Sequence, residues 1–287
     1  MKGVILAAGF GTRFLPATKT IPKEMFPLID TPAIDFILRE FRTAGINEIL
    51  VVSSRRKKAM EDYFDREAEL EAAFKEEGAK RKINLIQVGD ENVFFLRQKN
   101  MAGTGDALLL VEPFVEDSPF VVAYPDDLMI SGPSLSAGMI ALYKKTGKTI
   151  LAAKEIPEGD ISRYGVLDAV EDEEGVLNVR SMVEKPAPGK EPSRMVGFGR
   201  YLYTPEIFAA LRKSRSDAKT KGEFTQTDAI NQLALDGRVA AHRIEGHLLD
   251  VGAPQGYLEA IVEYGLNRRD FREGFLKYLQ SVVKRES

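Results

Sequence analysis

The chain has 287 residues, 44% hydrophobic and 29% charged, with a formal net charge of −3. Those values describe an ordinary globular chain, long enough for one large α/β domain or two small ones, and they leave no basic footprint for DNA or RNA. The absence of cysteine excludes disulfides, thiolate metal sites and a cysteine nucleophile, and it fits a reducing compartment.

The first apolar run, "GVILAAG", predicts a buried strand. As a signal peptide it would be at the lower limit of length, and charged loop residues follow at once. "TPAIDFILREFRTAG" predicts a helix with Thr31 as N-cap, Pro32 at the first helical position and Gly45 as the stop. Ile34, Ile37, Leu38 and Phe41 form its apolar face. "EILVVSS" predicts a strand, "KKAMEDYFDREAELEAAFKEEG" a solvated charged helix or helix pair, and "INLIQVG" a third strand.

Farther along, "GDALLLVEPF" reads as helix, "PFVVAYPDD" as a buried strand, "PSLSAGMIALYKKTG" as helix and "TILAAKEI" as strand. This alternation argues for a mainly parallel sheet with helices on both faces. After residue 160, "YGVLDAVEDEEGVLNVRSMVEKP" predicts a hairpin with an acidic turn and "GFGRYLYTP" another strand. "PEIFAALRKS" and "TQTDAINQLALDG" predict helices, and the tail from "GAPQGYLEAIVEYGL" is mostly helical. With no internal repeat or Pro/Ser-rich linker, one domain with an inserted β-rich lobe is expected. No run of about 18 apolar residues occurs, so no membrane-spanning helix is expected and a cytoplasmic location is the default.

The stretch "LAAGFGTRFLPATKTIPKEMFP", residues 6–27, places a glycine-rich cationic loop directly behind the first strand. A dinucleotide fingerprint needs a third glycine where this chain has Phe14, and Pro16 and Pro22 delay any helix, which weakens a hydride-transfer reading. The "GKT" at Gly147–Thr149 lacks the first glycine of a P-loop, since Leu142 stands there; Gly147 reads as a helix C-cap. A third reading is a turn whose backbone N–H groups meet phosphates, with Arg13 and Lys23 adding charge, against the plainer one of a solvated loop with incidental charges.

At this point the residues resemble a known family. "AAGFGTRFLPATKTIPKEMFPL" is similar to the signature of the sugar-1-phosphate nucleotidyltransferases, and the long form with "LPATKTIPKEM" resembles the bacterial branch that joins UTP and glucose 1-phosphate. Further matches follow in order through "YFDREAELE", "RQKNMAGTGDA", "YPDDL", "RYGVLD", "MVEKP", "GRYLYTPEIF", "TDAI", "DVGAPQGYLEA" and "EYGL", covering nearly the whole chain.

The resemblance implies a Rossmann-like three-layer α/β/α fold with a mixed, mainly parallel central sheet and a smaller β-rich sugar-side lobe. It also divides the single domain into a nucleotide-binding half at about 1–130, a sugar half at about 131–250 and C-terminal helices at about 251–287. By the same resemblance, Ala7, Ala8 and Gly9 contact base and ribose, and Gly11, Thr12 and Arg13 wrap the triphosphate. Lys23 bridges phosphates, Glu24 lies near the nucleoside, and Gln98 reads the pyrimidine edge with help from the backbone of Gly103. Asp126 and Asp250 hold Mg²⁺; Glu184 accepts from glucose hydroxyls, Lys185 binds the sugar phosphate and Gly165 lets the sugar approach. Family members often use a segment like that from Lys57 to Lys82 in subunit contacts, and a homodimer or homotetramer is expected.

Three departures stand out: "EFTQTD" displaces a glutamine, "RMVGF" at Arg194–Phe198 replaces the usual segment, and Asp106 stands where a histidine is usual. They cluster on the sugar and base sides, so base and sugar preference stay open, with dTTP as the nearest rival to UTP. A non-catalytic nucleotide-sugar binding protein is the alternative of another class.

The implied chemistry makes UDP-glucose and pyrophosphate by in-line attack of a sugar-phosphate oxygen at the α-phosphorus. The nucleophile arrives ionised, so no general base is required, and His242 and His247 read as surface or packing residues. Arg13, Lys23 and Lys185 would offset repulsion between two polyanions. Asp126 could equally cap a turn on its own evidence; Asp250 after a second apolar stretch favours a paired cation site. Asp127 is the less suited ligand, because neighbouring residues at a strand end face opposite ways.

Overall fold

A computed structural model describes residues 1–87, 89–159, 161–217 and 223–286. Its strands are β1 (Lys2–Leu6), β2 (Pro27–Leu28), β3 (Thr31–Pro32), β4 (Glu48–Ser53), β5 (Asn92–Arg97), β6 (Phe120–Ala123) and β7 (Asp127–Ser131). They continue with β8 (Thr149–Glu155), β9 (Gly165–Glu171), β10 (Leu177–Glu184), β11 (Met195–Tyr203), β12 (Val239–Arg243) and β13 (His247–Asp250). The helices are α1 (Ala33–Thr43), α2 (Lys58–Phe64), α3 (Ala68–Glu76), α4 (Lys80–Ile86), α5 (Thr104–Leu109) and α6 (Glu112–Val115). After them come α7 (Leu135–Thr146), α8 (Glu206–Asp217), α9 (Thr227–Leu235), α10 (Pro254–Asn267) and α11 (Arg272–Glu286).

Nine strands form one sheet in the order β5-β4-β1-β6-β11-β8-β12-β10-β9. The first four are parallel, as are β8 and β12, whereas β10 and β11 run against the other strands of this sheet. The sheet is therefore mixed, with the parallel run in its first half. Strands from both halves of the chain share it.

Both faces of that sheet are covered, which is why its central strands read as continuous apolar runs. Ile5, Val51 and Val121 face α1, α7 and α10, packing with Ile34, Phe41, Met139 and Ala260. Val4, Val52 and Val122 face the other way, against Leu108, Ile207 and Ile230 of α5, α8 and α9. Because β1, β4, β5 and β6 are parallel, the segments after Leu6, Ser53, Arg97 and Ala123 emerge at one edge. That edge is where open α/β sheets bind ligands.

Two local expectations are corrected. "INLIQVG" is not a strand: its start lies in α4, with Leu85 77% exposed, and Val88 lies outside the described residues. The third parallel strand is β5, "NVFFLR", an edge strand whose aromatic and β-branched residues suit a pleated surface. A short apolar run does not distinguish helix from strand by periodicity. Likewise Thr31 does not cap α1. It sits in β3, its hydroxyl on Asp30 at 3.0 Å, while Gly45 follows the helix at φ 73° as expected.

Candidate active site

The glycine-rich loop leaves β1 with Ala7 and Ala8 buried and Gly9 exposed. Ala7 N–H donates to Val52 O at 2.9 Å, extending the ladder by one residue. A Cβ on Gly9 would meet nothing within 4 Å, so the backbone there faces open space. Gly11 adopts φ 67°, the left-handed conformation that glycine tolerates, and Thr18 Oγ1 donates to its carbonyl at 2.8 Å. A 3-10 turn over Thr12–Phe14 then presents Thr12 and Arg13 outward, while Phe14 packs edge-on against Phe26 and Tyr257 at 5.2 and 5.8 Å. That aromatic cluster anchors the loop to α10.

Charged side chains converge beside this loop. Lys23 Nζ donates to both oxygens of Asp126, 2.6 Å from Oδ1. Arg13 Nη1 reaches Gly252 O at 3.4 Å, Val251 N–H donates to Asp126 O at 2.7 Å, and Gly252 N–H donates to Asp250 Oδ1 at 2.9 Å. A Cβ on Gly252 would lie 3.0 Å from Asp126 Oδ2 and 3.1 Å from Asp250 Oδ1. The two carboxylates therefore face each other across a glycine, where a larger residue would crowd them.

Asp127 turns elsewhere, as a strand-end neighbour should. Its Oδ2 accepts from Gly199 N–H at 2.7 Å. Burial first, then the nearby Asp250 carboxylate, pushes its carboxyl up to about 7. Beneath this turn Arg200 is fully buried, paired with Glu40 through two 3.0 Å bonds, and it donates to the carbonyls of Tyr124 (3.2 Å) and Asp127 (2.8 Å). Arg200 was not among the residues singled out from sequence. No local pattern marks an arginine inside a strand as a buried brace.

On the other side of the loop, Glu24 is buried and both its oxygens accept from Lys57 Nζ, at 2.6 and 2.7 Å. Burial raises the Glu24 carboxyl and lowers the Lys57 ammonium, outweighing their mutual attraction. Lys57 is thus not on a solvated face, although much of the charged segment after it is exposed. A small pocket between the loop and the turn after β4 is lined by Gly9, Thr18, Lys23, Arg56 and Lys57. The sequence reading missed Arg56 and Lys57, which look like any surface run of cations.

Gln98, 5% exposed, follows β5, and its Nε2 donates to Gly103 O at 3.2 Å and Asp106 Oδ2 at 3.3 Å. Gly103 has φ 111°, and a Cβ there would lie 2.2 Å from Phe224 O, so the loop needs glycine. Phe224 closes over this loop, donating to Ala102 O and accepting from Gly105 N–H, both at 2.9 Å. The displaced glutamine, Gln226, is buried as a bridge: Thr104 Oγ1 donates to its Oε1, and its Nε2 donates to Tyr124 OH at 2.7 Å.

Glu184 and Gly165 are cross-strand partners between β10 and β9. A Cβ on Gly165 would lie 2.1 Å from the Met182 methyl and 3.1 Å from Glu184 Oε2, so the missing side chain makes room first for these neighbours. Lys185 is exposed at φ 47°, a conformation rare for a side-chain-bearing residue, and its N–H donates to Tyr164 O at 3.0 Å. Tyr164 OH in turn lies 3.5 Å from Asp250 Oδ2, joining the β-rich side to the paired carboxylates. The histidines stay apart: His242 packs under α7, where a Cβ on Gly138 would meet its ring at 2.4 Å, and His247 lies 3.9 Å from Glu263.

Paired carboxylates supply hard oxygen donors, the kind that suit Mg²⁺ or Ca²⁺ rather than a soft metal. Among the described residues no group of three or more His, Cys, Asp or Glu is placed to hold a metal, so protein ligands would be few. No helix of the described residues is long and apolar enough to cross a membrane.

The profile of the nucleotidyl transferase family matches residues 2–265. A UTP–glucose-1-phosphate uridylyltransferase of Bacillus subtilis is 38% identical over 100% of this chain and 96% of its own length. One from Staphylococcus haemolyticus is 36% identical over 98% of both chains. Among solved structures, a UDP-glucose pyrophosphorylase complexed with UDP-glucose superposes with a TM-score of 0.81 at 39% identity, covering 93% of this chain and 99% of that one. The UTP-bound enzyme of Acinetobacter baumannii reaches a TM-score of 0.87 at 32% identity, covering 97% and 98%.

Proposed function

The chain belongs to the nucleotidyl transferase family, and we propose that it transfers the uridylyl group of UTP to glucose 1-phosphate, forming UDP-glucose and pyrophosphate. The observation that carries this reading is the meeting of Arg13, Lys23, Asp126 and Asp250 around Gly252, beside an open glycine-rich backbone. That set suits fixed positive charge and a cation site beside phosphates, and it contains no serine, cysteine or histidine.

In the proposed reaction an ionised oxygen of the sugar phosphate attacks the α-phosphorus of UTP. The bond from that phosphorus to the oxygen bridging the β-phosphate breaks, and pyrophosphate leaves with its electron pair. Gly11, Thr12 and Arg13 would wrap the triphosphate. Lys23 would exchange its hydrogen bonds from Asp126 to phosphate oxygens, and Lys185 would hold the sugar phosphate. Catalysis is then positioning and fixed charge. Asp126 and Asp250 are assigned to Mg²⁺, which is commonly held by one or two carboxylates together with substrate phosphate. When bound it would orient and neutralise phosphate oxygens.

Ala7, Ala8, Gly9, Gln98 and Gly103 are assigned to base and ribose. Glu24 belongs to the floor under the nucleoside, since Lys57 occupies both its oxygens. Glu184 and Gly165 are assigned to glucose. This reading gives residues 1–130 the nucleotide, 131–250 the sugar and 251–287 a supporting role in a cytoplasmic homodimer or homotetramer.

Pyrophosphate release from purified protein with glucose 1-phosphate tests it, using UTP, dTTP, CTP, ATP and GTP with and without Mg²⁺. Release dominated by UTP and abolished by chelation is expected. A preference for dTTP would keep the mechanism and change the substrate, because thymine presents the same pairing edge as uracil. No release with any nucleotide or sugar phosphate, from folded protein, would overturn the reading in favour of a binding protein.

A further inference from the structure

We propose that Asp106 is a positioning residue for base choice: it turns the Gln98 amide so that its oxygen faces the nucleotide, selecting a base with a ring N–H against cytosine. The inference rests on the reading that Gln98 meets the pyrimidine edge.

The geometry around the amide is asymmetric. One end of the Gln98 side chain lies between two acceptors, the Gly103 carbonyl at 3.2 Å and Asp106 Oδ2 at 3.3 Å. Only the NH₂ group can satisfy both; an amide oxygen there would face two other oxygens in a nearly buried position. Asp106 supplies an acceptor without donor capacity as long as it is ionised, and Arg215 Nη1 lies 3.3 Å from its other oxygen, Oδ1. With Nε2 drawn toward α5, Oε1 is left on the other side of the amide, and among the described residues nothing donates to it.

An exposed acceptor has a direct consequence for the base. Uracil and thymine carry an N3–H that can donate to it. Cytosine bound in the same register brings an unprotonated N3, so acceptor meets acceptor and both stay unpaired. Sites that discriminate through unpaired buried polar groups reject the wrong ligand more strongly than sites relying on size. An asparagine in place of Asp106 could donate to Oε1. Only the Gly103 carbonyl would then hold the NH₂ in place, so the amide is freer to rotate and offer its NH₂ to the base, which suits cytosine.

The test is steady-state kinetics with UTP and CTP, alongside equilibrium binding of each nucleotide, for wild type, Asp106→Asn, Asp106→Ala, Asp106→Glu and Gln98→Ala. Asp106→Asn is expected to lower kcat/KM for UTP at least tenfold, mainly through KM, and to raise the CTP-to-UTP ratio at least tenfold. Asp106→Ala frees the amide without redirecting it and is expected to raise that ratio less. Asp106→Glu, which keeps an acceptor-only partner, should stay near the wild-type ratio. Equal losses for UTP and CTP in whichever of Asn or Ala folds would overturn the proposal, since a merely structural role for Asp106 predicts no change in the ratio. If Gln98→Ala leaves UTP binding intact, the assignment of Gln98 to the base fails first. If Gln98→Ala weakens UTP but the Asp106 variants keep the ratio, the positioning role alone fails.

Discussion

Lys23 Nζ donates to both carboxylate oxygens of Asp126, one of the two carboxylates that face each other across Gly252. A side-chain cation therefore already occupies the carboxylate assigned above to a proposed metal ion. Lys23→Ala is expected to tighten binding of a divalent cation to the nucleotide-free protein several-fold, because the competitor is gone. The same variant should lose activity by about 10²–10³-fold, the scale of removing one fixed stabilising group from a transition state. Titration of Mn²⁺ by electron paramagnetic resonance, alongside pyrophosphate release, separates the two effects. Weaker Mn²⁺ binding in the variant would show that Lys23 does not compete for Asp126.

The buried Lys57–Glu24 pair gives an opposite kind of test. Burial raises one partner and lowers the other, so desolvation opposes the attraction between them. Removing one partner of such a pair typically costs about 3–5 kcal/mol, whereas a well-packed neutral replacement of both can be nearly neutral. Lys57→Met alone and Glu24→Gln alone should each lower the urea midpoint, and the double variant should recover most of the loss. Strictly additive losses would contradict this account.

Arg200 supports the Asp126 turn from below while neutralising Glu40. Arg200→Met leaves Glu40 buried without its partner, and a loss of about 3–5 kcal/mol is expected on chemical denaturation. Adding Glu40→Gln should restore much of that stability. It should not restore wild-type activity, because the carbonyls of Tyr124 and Asp127 would still lack their donor.

Lys185 holds φ 47° at the end of β10. A left-handed conformation costs a side-chain-bearing residue about 1–2 kcal/mol, and glycine escapes that cost. Lys185→Gly is expected to keep or raise the melting temperature while raising KM for glucose 1-phosphate at least tenfold. A variant that melts earlier yet binds the sugar phosphate normally would place Lys185 in a structural role.

A surface link offers a pH test. Arg268 Nη1 donates to both Asp30 oxygens, at 2.9 and 3.0 Å, tying the end of α10 to the turn before β3. Burial works to raise the Asp30 carboxyl, but hydrogen bonds from Arg268 and Thr31 outweigh it and leave a net lowering. A lowered carboxyl stabilises the fold above its ordinary value near 3.8 and loses that effect as pH falls through the folded value. Asp30→Asn should therefore be less stable than wild type at pH 7, with the gap closing in acid. A gap independent of pH would exclude the linkage.

By itself the sequence determined the glycine-rich turn behind the first strand and the alternating α/β order, and it named the charged residues proposed for the site. Those features are local: "AAGFGTR" needs only its own backbone to make a turn, and Ile34, Ile37, Leu38 and Phe41 need only helical spacing to make a face. The tertiary structure alone decided which charges are buried and which carboxylates meet. Lys57 reads like its solvated neighbours until α2 is laid behind the loop that carries Glu24. Asp126 and Asp250 are separated by more than a hundred residues and come together only through the β7–β13 ribbon and Gly252. "INLIQVG" failed for the same reason, since a short apolar run takes its conformation from what it packs against. Burial and charge pairing depend on segments distant in sequence, and periodicity carries no information about them.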